Sequence, residues 1–203
     1  MNEYRYAARL YDPIVGPALH PIHAATVRAL LTAGVDSMVD VCCGTGMLAG
    51  MTASSGIKST GVDISRPMID VARKKRPNAA FIHGDATTLS FPDNTFGAAT
   101  ISFALHEKPQ ALGLAILAET CRVVRSDGFI LITDYRNPFP DIARGTGCVI
   151  RLVERIAGKE HYRFFREYMS NGCMDGFFRI AGINGRLIGK HLNGWAGIHL
   201  IEC

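Results

Sequence analysis

The chain has 203 residues, 48% of them hydrophobic, and a formal net charge of +4 with a pI near 8.8. That is enough for one α/β domain with a sizeable core, and too apolar for a disordered chain. No apolar run reaches the roughly 18 residues needed to cross a bilayer. The first residues hold no continuous apolar stretch of the signal-peptide kind.

Residues 1–34 read as helical, broken at Asp12-Pro13, Pro17 and Pro21. Met38 to Cys42 is a short apolar run and predicts a strand. Gly44-Thr45-Gly46 turns the chain, and a helix begins at Met47 and runs to Ser54. Lys58 to Asp63 is a second strand, ending on an acid. Ser65-Arg66-Pro67 opens a helix, with Ser65 as N-cap and Pro67 in the first turn. It runs to Lys75 and stops before Pro77. Its Arg73-Lys74-Lys75-Arg76 end is the longest basic cluster, and it complements the helix dipole as a solvated helix end would.

Ala80 to His83 is a third strand and Phe96 to Phe103 a fourth, the latter nearly all apolar or small, as a strand buried on both faces requires. Gln110 to Val124 has helical spacing at Leu114, Leu117, Cys121 and Val124. Ser126-Asp127-Gly128 is expected to end that helix before a fifth strand, Phe129 to Thr133. Ile142 to Ile156 and Gly172 to Ala181 read as helices, and the aromatic, basic segment Tyr162 to Gly172 as part of a lid. Arg186 to His191 and Gly197 to Cys203 close the chain as a hairpin through Leu192-Asn193-Gly194. Five βα units followed by a hairpin predict a single α/β domain with a doubly wound, mostly parallel seven-stranded sheet and an antiparallel C-terminal edge. Within it, 1–34 is a helical cap, 36–134 a cofactor-binding core, and 135–203 the substrate-side helices and hairpin.

Ligands of such sheets bind beyond the carboxyl ends of the strands, where strand order reverses. Gly44 and Gly46 allow tight dihedrals and close approach of the backbone. The dinucleotide fingerprint G-x-G-x-x-G fails here. Cys42 and Met47 stand where one alignment needs glycine, and Ala49 stands where the other does. Asp40, inside an apolar strand, needs partners: it can orient loop amides or accept from the ammonium of an amino-acid-like ligand. Asp63 can accept both hydroxyls of a ribose. Gly84-Asp85 can present a backbone N–H and a carboxylate to an adenine edge. Amine, ribose and adenine acceptors in chain order describe S-adenosylmethionine.

Val39-Asp40-Val41-Cys42-Cys43-Gly44-Thr45-Gly46 resembles motif I of the class I S-adenosylmethionine-dependent methyltransferases. Gly61-Val62-Asp63-Ile64-Ser65 with Met68 resembles their ribose motif. Gly84-Asp85-Ala86 with Leu89 to Phe96 is similar to the adenine segment, and Gly128 to Ile132 to strand five. The resemblance covers residues 36–134, and within the superfamily it is nearest the ubiquinone/menaquinone-biosynthesis type and general small-molecule methyltransferases. It implies a Rossmann-like methyltransferase fold and cofactor contacts from Tyr11, Asp40, Cys42, Cys43, Gly44, Thr45, Gly46, Asp63, Ile64, Met68, Gly84, Asp85, Ala86 and Ser102. The chain departs from the pattern at Cys42, where the family usually has glycine, and a Cβ there narrows the space beside the methionine part of the cofactor.

The expected reaction is methyl transfer to a small-molecule or lipid-like acceptor by in-line displacement, with S-adenosylhomocysteine as product. His106 and Tyr135, after strands four and five, are the candidate catalytic residues, His106 as a general base if the acceptor must lose a proton. His20 and His23 are weaker candidates in the cap. The alternatives are a non-catalytic cofactor-binding protein and, less favoured, an NAD-dependent oxidoreductase. With no Cys-x-x-Cys pair and no zinc-type spacing among the six cysteines, no metal is expected. Reduced thiols, a cytoplasmic location and no nucleic-acid partner complete the reading.

Overall fold

The computed structural model describes residues 3–137 and 144–202, with side chains over 12–137 and 145–202. Seven strands form one sheet: β1 (Ser37–Val41), β2 (Lys58–Asp63), β3 (Ala80–His83), β4 (Phe96–Ser102), β5 (Val124–Tyr135), β6 (Arg186–His191) and β7 (Ala196–Glu202). Their order is β3-β2-β1-β4-β5-β7-β6. The first five are parallel, and β7 runs antiparallel to both β5 and β6. Helices α1 (Glu3–Thr32), α2 (Met47–Ser54), α3 (Arg66–Lys75), α4 (Gln110–Val123), α5 (Arg144–Ile156), α6 (Lys159–Ser170) and α7 (Cys173–Ala181) pack around it. Strand order reverses between β1 and β4, so the crevice lies beyond Val41 and Ser102.

The period-2 alternation of strands divides the core into two faces. Met38, Ala98 and Leu131 point to one side, where Ile22 and Leu30 of α1 cover them. Val39, Val41, Ala99, Ile101, Ile130 and Ile132 point to the other, against Ile116 and Leu117 of α4, Phe165 and Tyr168 of α6, and Phe177 of α7. A third cluster, Ala49, Ile69, Ala72 and Phe81, joins α2, α3 and β3 behind the glycine turn.

Three expectations are corrected. The first helix is continuous through Pro13, Pro17 and Pro21. All three are exposed and spaced four apart, so they share one face, and the carbonyls left without an N–H donor line the solvent side. Residues 124–128 belong to β5 rather than ending a helix: Val124 pairs with Phe96 and Phe129 with Ala98, leaving a bulge of extra residues on β5 between them. The segment read as a lid is mostly α6, whose Phe165 and Tyr168 are buried in the main core because their three-residue spacing puts both on one face of a helix packed on a sheet. Among the described residues no helix is long and apolar enough to cross a membrane.

Candidate functional site

The turn after β1 is built from left-handed backbone. Gly44 has φ 54° and Gly46 φ 74°. A Cβ on Gly46 would stand 2.3 Å from Phe81 Cε1, so both conformation and packing demand glycine there. A Cβ on Gly44 would have nothing within 4 Å, so this residue faces open space. Cys42 also has positive φ, 59°, which explains why a glycine is expected at its position; a side chain there costs about 1–2 kcal/mol. Its thiol packs against the main core, and Cys43 against the α2–α3 cluster. Burial pushes the Cys42 thiol up to about 12 and that of Cys43 well above its ordinary value. Neither is poised as a nucleophile.

Asp63 ends β2 beside this turn. Its Oδ2 accepts from the Gly44 N–H at 2.8 Å, and its Oδ1 from the Ser65 N–H at 2.8 Å. Burial raises its carboxyl above the ordinary range, against those two bonds. Ser65 thus occupies the cap position without using its hydroxyl. Each Asp63 oxygen keeps a second lone pair for an outside donor. Asp40 is 2% exposed, stands opposite Thr100 in the β1–β4 register, and accepts its hydroxyl at 2.6 Å. It also accepts from the Ala49 N–H in the first turn of α2. It therefore orients the loop and helix from within the sheet.

The other candidates ring the same strand ends. Ile64 is an apolar side chain 69% exposed, and Met68 is half-buried. Gly84 is anchored by its N–H to the Asp63 carbonyl at 3.0 Å. Asp85 is exposed and accepts from the N–H and hydroxyl of Thr87, both at 2.8 Å, and Ala86 is buried. Ser102, at the end of β4, has a buried Oγ with no partner among the described residues. The Thr45 hydroxyl donates to Asp12 Oδ1 at 2.5 Å. Arg76 and Lys75 meet Asp12 Oδ2 at 2.7 and 3.0 Å. This ties α1 to the glycine turn and to the end of α3. The Tyr11 side chain lies outside the described residues. His23 is buried within the fold, where desolvation lowers it to about 4, while His20 is exposed.

A second cluster lies beyond β4 and β5. Asp134 receives the N–H groups of Leu105 and His106 at 2.9 and 3.3 Å, and its Oδ1 lies 2.7 Å from His106 Nδ1. His106 Nε2 lies 3.4 Å from Glu154 Oε2. The Tyr135 hydroxyl donates to Glu154 Oε1 at 2.7 Å, and His161 Nε2 contacts Glu154 Oε2. His161 Nδ1 is 3.3 Å from Glu107 Oε2, and Lys108 Nζ donates to Glu107 Oε1 at 2.6 Å. Burial alone would lower His106, but the Asp134 and Glu154 carboxylates raise it to about 10. Likewise Glu107 and Glu154 overcome the burial of His161 and raise it to about 9. His106 and Tyr135 are thus brought together, their rings 4.8 Å apart. Glu154 and His161 were not anticipated, because they lie on α5 and α6, and only helix packing delivers them.

Residues 38–128 match the family model described as a methyltransferase domain. The demethylmenaquinone methyltransferase of Staphylococcus epidermidis is 31% identical over 180 residues, covering 80% of this chain and 73% of the relative. That of Beutenbergia cavernae is 35% identical over 56% of this chain and 47% of its own length. The chain spans about half the length of the first curated relatives it matches, 47%, 48% and 42%. The crystal structure of magnesium protoporphyrin IX methyltransferase from Synechocystis PCC 6803, which holds S-adenosylhomocysteine, superposes with a TM-score of 0.63 at 16% identity, over 89% of this chain and 81% of that one; this likeness is one of fold. The sheet order and the glycine turn define a Rossmann-like methyltransferase fold. The chain belongs to the class I S-adenosylmethionine-dependent methyltransferases, and the relatives it is similar to are named as demethylmenaquinone methyltransferases.

Proposed function

We propose that this chain transfers a methyl group from S-adenosylmethionine to a small, lipid-like acceptor, with a quinol-type ring as the favoured class. The carrying observation is the Asp63–Gly44 bond at the strand-order switch, with lone pairs of Asp63 to spare beside the open space at Gly44. The surroundings suit the cofactor. Asp63 would accept ribose hydroxyls, the exposed Ile64 would lie under the adenine, and the unpartnered Ser102 Oγ would gain a partner. Asp85 and Gly84 would flank the base. When bound, S-adenosylmethionine supplies an electrophilic methyl group on a sulfonium.

The chain's own contribution is then positioning. In-line alignment of two bound reactants corresponds to effective molarities of about 10⁵–10⁸ M. His106 Nδ1 is held by Asp134, and its Nε2 faces the Glu154 carboxylate at 3.4 Å. Tyr135 spends its hydroxyl on Glu154. This geometry gives no support to either as the group that removes a proton; both hold the acceptor side of the cleft in shape. The quinol-type acceptor rests on the printed names of the relatives.

Calorimetry with S-adenosylhomocysteine, followed by transfer of labelled methyl to a demethylmenaquinol, tests the reading. Micromolar binding and labelled product are expected. An absence of binding, or binding unaffected by Asp63→Ala, would sink it.

A further inference from the structure

We propose that His106, Glu154 and His161 form a binding site for one divalent transition-metal ion of the zinc or iron(II) class. The nearest nitrogen of each imidazole and a Glu154 oxygen lie within 4.8 Å of one another. Two imidazoles and one carboxylate are a donor set used by both catalytic zinc and non-haem iron(II) sites. With metal–ligand bonds of about 2.0–2.1 Å, neighbouring ligands of a tetrahedral ion stand about 3.3 Å apart. His106 Nε2 and Glu154 Oε2 are separated by 3.4 Å.

The outer contacts support the same assignment independently. A ligating histidine characteristically gives its other ring nitrogen to a carboxylate, which fixes its orientation. His106 meets that condition, with Nδ1 on Asp134 at 2.7 Å, and His161 Nδ1 lies beside a different carboxylate, 3.3 Å from Glu107 Oε2. The ligating carboxylate is itself oriented by the Tyr135 hydroxyl. In each ring, Nε2 is therefore the nitrogen left for the ion.

Three carboxylates, Asp134, Glu154 and Glu107, surround the two imidazoles, with Lys108 beside Glu107. A divalent ion held by neutral imidazoles carries the same two positive charges as the two protonated rings, so the cluster stays balanced when the ion replaces the two ring protons. His106 is held rigidly, ringed by Tyr135 at 4.8 Å, Phe165 at 6.1 Å and Tyr168 at 6.4 Å. The His161 side chain is 21% exposed and Glu154 7%. His161 is thus the movable ligand: its ring must withdraw from Glu154 to admit the ion, and the remaining coordination position opens on its side.

The test uses the full chain, dialysed against EDTA and titrated with Co²⁺ and Zn²⁺ without cofactor, so it stands or falls apart from the methyl-transfer reading. The expected result is one Co²⁺ per chain, with the intense visible bands of a four- or five-coordinate ion, discharged by one equivalent of Zn²⁺. His161→Ala should lose at least 100-fold in Co²⁺ affinity while keeping its far-ultraviolet circular dichroism. Glu107→Gln, which leaves all three ligands in place, should lose about 10–100-fold. The pair keeps the test decisive if one variant folds poorly. No saturable binding below millimolar Co²⁺, or binding equal in wild type and both variants, overturns the proposal.

Discussion

The Gly44 N–H donates to Asp63 Oδ2 at 2.8 Å across 19 residues of sequence. One carboxylate thereby sets the turn after β1 and, through its other oxygen, the start of the chain toward α3. A loop needing left-handed backbone is held from outside, and the residue that holds it is also the expected ribose acceptor.

Asp63→Ala should weaken S-adenosylhomocysteine binding by about 10–100-fold, the effect of losing hydrogen bonds to a charged group. Asp63→Asn keeps one acceptor oxygen and should lie between wild type and alanine. Calorimetry of the three proteins orders them. Equal affinity for Asn and Ala would show that the negative charge, and not acceptor geometry, does the work.

Gly46 and Gly44 look equivalent in sequence and should behave differently. Gly46→Ala drives a methyl into Phe81 and Ala72, with Phe81 Cε1 at 2.3 Å. It should lose about 2–4 kcal/mol in urea denaturation, from overpacking plus a forbidden dihedral. Gly44→Ala meets no atom within 4 Å. It should lose only about 1 kcal/mol of stability, but it fills the space in front of the turn and should lower cofactor affinity. Similar denaturation midpoints for the two variants would contradict this packing argument.

The Asp12 carboxylate accepts from Thr45, Arg76 and Lys75. Burial alone would raise it, and those three bonds hold it below the ordinary carboxylate range. Its contribution to stability is present above about pH 4 and is lost as pH falls through the lower folded-state value. Asp12→Ala should free the N-terminal part of α1 from the glycine turn. The readouts are faster amide exchange in α1 near Asp12 and in the glycine turn, and a several-fold loss in S-adenosylhomocysteine affinity. Exchange unchanged in both segments would show that apolar packing of α1 through Ile22 and Leu30 holds it alone.

The sheet and the cofactor turn were legible because each rests on local chemistry. β4 and the end of β5 are apolar runs bounded by turns, and Asp63 and Gly84 close their strands. The continuity of α1 was not legible: proline reads as a breaker until the exposed face that tolerates three of them is known. Nor was the role of Cys42, whose φ of 59° is visible only in the folded backbone. The histidine cluster was hidden for a further reason. His106 follows β4 and Asp134 lies at the end of the neighbouring β5, so they meet by topology, but Glu154 and His161 are seven residues apart on two different helices and converge only where α5 and α6 pack. Metal-type spacing within one segment, the usual sequence signal, is absent.

Asp40 gives a pH dependence of the opposite sign to Asp12. Burial pushes its carboxyl up to about 7, against the hydrogen bonds from Thr100 and Ala49. The folded chain therefore keeps a proton that the unfolded chain releases near pH 4. Stability contributed by this residue falls as pH rises from the unfolded value to the folded one, and is flat above it. Between about pH 5 and pH 8 the loss amounts to roughly 2–3 kcal/mol. Asp40→Asn keeps an oxygen for the Thr100 hydroxyl and has no proton to lose. Urea denaturation of both proteins across that range isolates the effect, since every other titrating group is common to the two. The stability difference, wild type minus variant, should fall from pH 5 to about pH 7 and level off toward pH 8. A difference independent of pH would mean that Asp40 is ionised throughout the range, its charge carried by the N–H and hydroxyl donors around it.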